Sequence, residues 1–282
     1  MSLTIVSVKN ISFRYEEGTI GLDSVDFFVK RGEFVSVLAS NGGGKTTLLK
    51  ILSGLLAPQK GTVEINSKNI RDIPQKVLYQ MLGVVFQNPN DQLFEATVRE
   101  DVAFGPANIG LSREEINKRI EKSLEDVEAL HLIDRPIHHL SYGEQKRVCV
   151  AGVLAMNPEI LILDEPTSGL DPKGEHLMLD ILNKLNREQY ITVIMATHSV
   201  DMLPLFADKI YILHKGKVLR SGNTRDVLTD QVILEKANLR LPYVSRLLDE
   251  LQRLDGIPAS HLPLTIKEAR ERILKLLPEN IT

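Results

Sequence analysis

Residues 34–47, which read FVSVLASNGGGKTT, decide the fold. Residues 34–38 form a short apolar run rich in valine, which predicts a strand, and residues 46–52 predict a helix. A glycine-rich loop joins the two. Strand, glycine loop and helix in this order are the beginning of an α/β unit. Glycines let backbone N–H groups surround a phosphate, and the helix N-terminus adds the positive end of its dipole.

This loop follows the pattern G-x-x-x-x-G-K-[ST] of nucleoside triphosphate binding, except that Ala39 stands at the first glycine. The departure puts the tightness of the first turn in question, but not the chemistry of Lys45 and Thr46. Lys45 is expected to neutralise the β- and γ-phosphate oxygens, and the Thr46 hydroxyl to complete the shell of a Mg²⁺ ion. The candidate nucleotide-binding residues are Asn41, Gly42, Gly43, Gly44, Lys45, Thr46 and Thr47.

Two other readings of the loop are weaker. A dinucleotide fingerprint fits less well, because Thr47 stands where the third glycine after Gly42 and Gly44 would be. A plain glycine-rich turn before a surface helix would leave Lys45 and Thr46 without a role. The sequence therefore favours triphosphate binding.

A second apolar run, residues 160–163, ends in Asp164 and Glu165. A buried strand that delivers an acid at its carboxyl end suits a Mg²⁺ ion beside the phosphate loop. Asp164 is expected to bind that ion through its water shell, and Glu165 to orient or deprotonate the attacking water. Taken alone, two acids at a strand end could equally be a solvated strand end. Their place after a phosphate loop makes the pattern more specific.

Residues 140–145, which read LSYGEQ, resemble the signature of ABC ATPases, usually Leu-Ser-Gly-Gly-Gln at the start of a helix. Ser141 and Gly143 hold the two positions that, in that family, contact a γ-phosphate through a hydroxyl and a backbone N–H. Tyr142 and Glu144 replace the more usual Gly and Gln. In isolation, Ser141 would be read as a simple helix N-cap.

The resemblance extends over residues 3–222, with the motifs in the order of the ABC ATPase family, so the chain is identified as a member of it. It implies that Tyr15 stacks on adenine, that Gln87 links the γ-phosphate and Mg²⁺ to the membrane partner, and that His198 hydrogen-bonds the γ-phosphate. Residues 168–171 match the loop that crosses the dimer interface. Alone, these features would be a strand-edge tyrosine, a polar strand end, a structural histidine and a turn.

The family implies an α/β P-loop fold with a mixed sheet, flanking helices and a helical signature subdomain. We expect an ATPase domain over residues 1–222, with its helical subdomain at about 88–158, and a helical extension over 223–282. Two such subunits, identical or related, would pair head to tail around ATP at the cytoplasmic face of the cell membrane. By resemblance, the catalytic residues are Lys45, Gln87, Glu165 and His198.

Residues 88–94, which read NPNDQLF, resemble the segment of energy-coupling-factor (ECF) and cobalt or nickel importers that helps to form the groove for the membrane partner. This implies a transmembrane scaffold contacted near Gln87 and residues 91–94, an indirectly associated substrate-capture protein, and a vitamin or transition-metal ion as cargo. The alternative is an Asn-Pro turn with Leu93 and Phe94 in the core. Another ABC transporter class, or a nucleotide-gated regulatory module with little turnover, also stays open.

The number and spacing of the motifs argue against two ABC classes that are not transporters. About 100 residues separate Lys45 from Ser141, which leaves no room for the coiled-coil insertion of chromosome-maintenance relatives. Translation-factor relatives carry two ATPase halves in one chain, whereas one phosphate loop is present here.

The C-terminal residues resemble the helical tail through which ATPases of the ECF group pair. Leu247, Leu251 and Leu254 lie at helical spacing and are expected in a core or an interface. Prolines 242, 258 and 263 separate short helices. Thr265 and Glu268 predict a capping box before a helix over 266–277, as Ser112 and Glu115 do before a helix reaching about residue 130.

Composition sets outer limits. A net charge of −3 gives no global reason to expect nucleic-acid binding. The single cysteine, Cys149, excludes an internal disulfide and a multi-cysteine zinc site. No signal peptide and no run of about 18 apolar residues is seen, so any membrane part is expected from another chain.

Overall fold

Two β-sheets and the helices around them make up the computed structural model, which describes residues 3–257 and 261–276. Over these residues the strands are β1 (Thr4–Arg14), β2 (Ile20–Lys30), β3 (Phe34–Leu38), β4 (Lys60–Ile65), β5 (Lys68–Asn69), β6 (Leu82–Val85), β7 (Ile160–Asp164), β8 (Thr192–Thr197), β9 (Lys209–His214) and β10 (Lys217–Asn223). The helices are α1 (Lys45–Leu52), α2 (Gln75–Met81), α3 (Val98–Asn108), α4 (Arg113–Asp126), α5 (Tyr142–Leu154), α6 (Pro172–Gln189), α7 (Leu203–Phe206), α8 (Thr224–Leu228), α9 (Gln231–Lys236), α10 (Tyr243–Asp255) and α11 (Ile266–Leu276).

The larger sheet has the order β10-β9-β3-β8-β7-β6. All of its neighbouring strands run parallel except the β9–β10 hairpin, so the sheet is mixed, as the sequence predicts. The smaller sheet, β2-β1-β4-β5, is antiparallel. β1 lies inside this sheet, where β2 and β4 pair with it on its two sides.

Side chains of the central strands alternate between two apolar cores. On β3, Phe34 and Leu38 join the core that holds α5 and α6, whereas Val35 and Val37 join the core with β1, β2 and α1. Parallel strands covered on both faces are expected to be continuous apolar runs. The carboxyl ends of β3, β7 and β8 then meet at one edge of the sheet, which brings their following residues together.

The predicted helix after Ser112 is shorter than expected. We expected it to reach about residue 130, but α4 ends at Asp126. Glu128 has a left-handed backbone, with φ of 54°, which a right-handed helix cannot continue. A separate 3₁₀ turn follows at Leu130–Leu132. Helices α3, α4 and α5 pack on one another.

The two predicted capping boxes are only half formed. Ser112 and Thr265 each accept the expected backbone N–H, from Glu115 and Glu268 respectively, at 3.2 Å in both cases. In neither case does the amide of the cap residue itself donate to the carboxylate; Glu268 instead accepts the Leu264 amide at 2.9 Å. Glu115 pairs with Arg119 at 2.8 Å, and Glu268 pairs with Arg225, also at 2.8 Å.

The C-terminal helices pack on the main core. Val227, Leu234 and Leu264 belong to the same apolar core as β3 and β7. On α10, however, Leu247 is 51% exposed and Leu254 79% exposed, while the neighbouring Leu248 is buried. Pro258 and residue 277, named above, lie outside the described residues. None of the described helices is long and apolar enough to cross a bilayer.

Candidate active site

A cavity of about 390 Å³ lies at the carboxyl ends of β3, β7 and β8. It is lined by most of the residues predicted from the motifs: Tyr15, Asn41, Gly42, Gly43, Gly44, Lys45, Thr46, Thr47, Gln87, Asp164, Glu165 and His198. Five further lining residues were not among the predicted site residues: Thr19, Ile20, Gly21, Ser40, which lies within the predicted phosphate loop, and Ser168, which lies in the predicted interface loop. Ser141 and Gly143 are the predicted site residues that do not line this cavity.

The phosphate loop has room for glycine alone at two positions. Gly44, which precedes α1, has φ of 109°, and a Cβ there would lie 2.8 Å from the Gly21 carbonyl oxygen. A Cβ on Gly43 would lie 2.6 Å from the Ala39 Cβ. Gly44 provides no side-chain cap for α1. The N-terminal amides of this helix therefore have no side-chain partner at the cap position, which suits an anion.

Ala39 does not disturb the loop. Its φ is not positive, so this position has no need of glycine. The Lys45 ammonium donates to the Ala39 carbonyl at 2.6 Å, and the Gly43 amide closes the turn onto the Ser40 carbonyl at 3.1 Å. The first turn is thus closed despite the departure from the usual pattern.

The Glu165 carboxylate contacts both Lys45, at the start of α1, and His198, just after β8. One carboxylate oxygen lies 3.3 Å from the Lys45 ammonium, and the other lies 2.7 Å from Nδ1 of His198. Lys45 and Glu165 are buried, whereas the His198 side chain is 60% exposed. Glu165 also has a left-handed backbone, with φ of 48°. The carboxylate is therefore held between two of the predicted catalytic residues.

Thr46 and Asp164 present two hard oxygen ligands side by side. The Thr46 hydroxyl donates to Oδ2 of Asp164 at 2.8 Å. Burial raises the pKa of Asp164, and the negative charge of Glu165 adds to this, while the Thr46 hydrogen bond and Lys45 act in the opposite direction. Gln87, exposed after β6, lines the same cavity. A hydroxyl, a carboxylate and an amide oxygen fit the preference of Mg²⁺.

Tyr15 lies at the rim of the cavity, half-buried. Its hydroxyl shares a hydrogen bond with the Thr47 hydroxyl at 2.9 Å, and its ring packs edge to face on Phe13. Thr19, in the β1–β2 connection, and Ile20 and Gly21, at the start of β2, also line the cavity. Ile20 is 45% exposed. Their only signal in the sequence is their position just after Tyr15.

The signature residues stand apart from this cavity, at the start of α5. Ser141 forms a full capping box with Glu144: its amide and hydroxyl donate to the carboxylate at 2.7 and 2.8 Å, and its hydroxyl accepts the Glu144 amide. These bonds lower the pKa of Glu144. The N-cap reading of Ser141 is confirmed, and Glu144 is its capping partner. A Cβ on Gly169 would lie 3.0 Å from the Tyr142 ring, so α5 packs against the loop 168–171.

Some side chains of residues 88–94 face the protein interior, and others face solvent. The Gln92 amide accepts from the Phe86 backbone N–H at 3.1 Å and donates to the Cys149 carbonyl at 3.0 Å. Leu93 packs against the core, but Phe94 is 62% exposed and meets the Phe104 ring edge to face at 4.7 Å. The alternative reading, with both Leu93 and Phe94 in the core, is therefore wrong for Phe94.

Known proteins share this architecture. The ABC transporter family model matches residues 22–168. The energy-coupling factor transporter ATP-binding protein EcfA of Methanocaldococcus jannaschii is 46% identical over 278 residues, 98% of this chain and 99% of that protein. The solved structure of cbiO1 from Clostridium perfringens, described as part of the ABC transporter complex cbiONQ, is 40% identical with a TM-score of 0.76, over 87% of this chain and 99% of that one.

A dimeric ATP-binding cassette, MJ0796, solved in a post-hydrolysis state with ADP and Pi, has a TM-score of 0.71 at 33% identity, over 78% of this chain and 99% of that one. The family match, the near full-length relative and the grouping of the motif residues around one cavity agree with one another. The chain belongs to the ABC transporter family, as an ATP-binding subunit that hydrolyses ATP.

Proposed function

We propose that this chain is the ATPase subunit of an ECF-type importer. It would couple ATP binding and hydrolysis to the uptake of a vitamin or a transition-metal ion through membrane partner subunits. The support is the 46% identity to a protein named as an energy-coupling factor transporter ATP-binding protein, and the 40% identity to cbiO1, described as part of cbiONQ. The ECF-like segment at residues 88–94 adds to it.

One observation carries the catalytic part of the proposal: Glu165 lies between Lys45 and His198 at the mouth of a glycine-rich phosphate loop. In this reading the loop amides and Lys45 bind the β- and γ-phosphates. Glu165 orients or deprotonates the attacking water, and His198 donates to the γ-phosphate. Phosphoryl transfer needs little beyond such positioning and charge stabilisation.

The adenine and metal positions follow from the same cavity. Tyr15 would stack on the base, and Asn41 with the glycines and Thr47 would surround the phosphates. Thr46, Asp164 and Gln87 would hold Mg²⁺, whose charge neutralises the phosphate oxygens when it is bound. The adjacent oxygens of Thr46 and Asp164, 2.8 Å apart, support this assignment.

The separation of Ser141 and Gly143 from their own cavity supports a head-to-tail dimer. Each would then reach the nucleotide held by a partner subunit, identical or related. The likeness to MJ0796, which was solved as a dimer, agrees with this. The exposed Leu247 and Leu254 on α10 suggest that the C-terminal extension, residues 223–282, takes part in the pairing.

The membrane partner would dock near Gln87, Asp91 and Phe94, at the cytoplasmic face of the membrane. The exposed aromatic pair of Phe94 and Phe104 supplies apolar surface there, because Gln92 and Leu93 are turned inward. A substrate-capture protein would associate with the same scaffold.

The test compares Glu165→Gln with Glu159→Gln, a half-buried acid paired with Arg31 just before β7. In complexes purified with their membrane subunits, we expect Glu165→Gln to give an ATP-stabilised dimer with little turnover, and Glu159→Gln to match the parent. Normal turnover in Glu165→Gln would remove Glu165 from the mechanism. Identification of the co-purified membrane proteins and bound cargo tests the ECF assignment separately.

A further inference from the structure

Lys146 is a buried lysine on the signature helix that none of the motifs explains. It lies on α5, five residues after Ser141, and is 3% exposed. Its ammonium donates to the backbone carbonyl of Glu165 at 3.0 Å. The Tyr142 ring lies on another side, with its centroid 5.4 Å away. In the described part of the chain, no acid lies within ion-pair distance of Lys146.

A buried ammonium is costly unless its hydrogen bonds are satisfied. Burial lowers the pKa of Lys146 to about 8, while the charges of Glu165 and Asp164 favour the protonated form. The hydrogen bond to the Glu165 carbonyl therefore provides much of the stabilisation that offsets the cost of burying this charge. A helix surface lysine would have no such dependence.

Glu165 needs its backbone held. Its left-handed conformation, with φ of 48°, is unusual for a residue with a long side chain. Its amide donates to the Ala196 carbonyl at 3.0 Å. Its carbonyl accepts both the Ser168 amide at 3.1 Å and the Lys146 ammonium at 3.0 Å. Since the direction of the side chain follows from the backbone, these bonds set where the carboxylate points.

We propose that Lys146 is a positioning residue, which ties the placement of the Glu165 carboxylate to the position of the signature helix. This rests on the proposed function, in which Glu165 acts on the nucleotide of its own subunit while Ser141 reaches that of the partner. In the dimer, the hydrogen bond between Lys146 and Glu165 then connects two ATP sites. Glu165 belongs to the site of its own subunit, and α5, which carries Lys146, belongs to the site of the partner. A shift of α5 when Ser141 engages a γ-phosphate moves the donor that fixes Glu165.

The test uses Lys146→Met, which keeps an unbranched side chain without a donor, and Lys146→Gln, which keeps an N–H donor without the charge. Lys118→Met, on the exposed face of α4, is the matched control. The transporter complex is assayed for kcat and KM of ATP hydrolysis, equilibrium ATP binding and thermal unfolding. We expect kcat of Lys146→Met to fall at least about tenfold, with KM and ATP affinity within about twofold.

Lys146→Gln is expected to recover part of kcat, and Lys118→Met to match the parent. An unchanged kcat in folded Lys146→Met overturns the proposal. So does a joint loss of kcat, ATP affinity and thermal stability in both Lys146 variants, which indicates a structural role. If Lys146→Met does not fold, Lys146→Leu, which also lacks a donor, takes its place under the same criteria. Normal turnover in Glu165→Gln refutes the proposed function itself, whereas an inactive Glu165→Gln beside a normal Lys146→Met refutes this inference alone.

Discussion

The start of α10 is tied to the loop after His198 through the Asp201 carboxylate, and removing that carboxylate is expected to loosen α10. Asp201 accepts hydrogen bonds from both terminal nitrogens of Arg240 and from the Tyr243 backbone N–H at 2.8 Å. The Arg240 guanidinium in turn stacks on the Tyr243 ring at 3.5 Å. Pro242 offers α10 no side-chain cap, so Asp201 supplies the cap from outside the helix.

The free-energy cost of removing the Asp201 carboxylate can be estimated from these contacts. The side chains of Arg240 and Asp201 are 38% and 30% exposed, so solvent screens the ion pair, which contributes about 1 kcal/mol. The charged bond to the Tyr243 amide adds about 1–2 kcal/mol, including its interaction with the dipole of α10. Asp201→Ala is therefore expected to destabilise the docking of α10 by about 2–3 kcal/mol, which is about a 30- to 150-fold increase in local opening.

Hydrogen exchange followed by mass spectrometry measures this opening directly. Amides of α10 should lose about 30-fold or more of their protection in Asp201→Ala, while those of β3 and β8 keep theirs. Asp249→Ala is the control, since it removes an ion pair with Arg253 within α10. Unchanged protection of α10 in Asp201→Ala, or an equal loss in the control, would refute the reasoning.

Three other contacts give further predictions. Burial raises the pKa of Cys149 to about 12, so the neutral thiol persists at pH 8 and a disulfide reagent should react only after unfolding; rapid reaction of the native chain would contradict this. Gln92→Leu removes the side-chain partner of the Phe86 amide and of the Cys149 carbonyl, and should lower the free energy of unfolding in urea by about 1 kcal/mol; an unshifted urea midpoint would count against the bridge. Glu144→Ala removes the capping box of Ser141 and should cost about 1 kcal/mol at pH 7. Because the folded pKa of Glu144 is lowered, its contribution is present above the ordinary value of 4.5 and is lost as the pH falls through the folded pKa, so the melting curves should converge in acid.

The parts of the site that follow strands could be predicted from the sequence. Lys45, Asp164 and His198 each come shortly after an apolar run, and the carboxyl ends of parallel strands share one edge of the sheet. Because these residue types suit phosphate and metal binding, the place of the candidate site could be predicted. The helical spacing of Leu247 and Leu254 was also visible, although packing buried Leu248 instead.

Features that depend on packing between distant elements could not be predicted. Lys146 looks like an ordinary charge on a helix until α5 is placed against the residue after β7. The left-handed backbone at Glu165, and that at Glu128 which stops α4, have no signature in residue type. Thr19 and Gly21 belong to no motif, and they reach the cavity only because β1 and β2 form a hairpin beside the phosphate loop.

The contacts of Lys45 affect which anions can bind to the phosphate loop. Its ammonium is shared between the Ala39 carbonyl and the Glu165 carboxylate. An incoming anion must therefore compete with an internal carboxylate whose effective concentration is high because it is part of the same chain. A weakly charged or monodentate anion gains little from that exchange. A polyphosphate also forms hydrogen bonds with the amides of the phosphate loop. Competition from the Glu165 carboxylate therefore increases the preference for ligands that contact the whole loop.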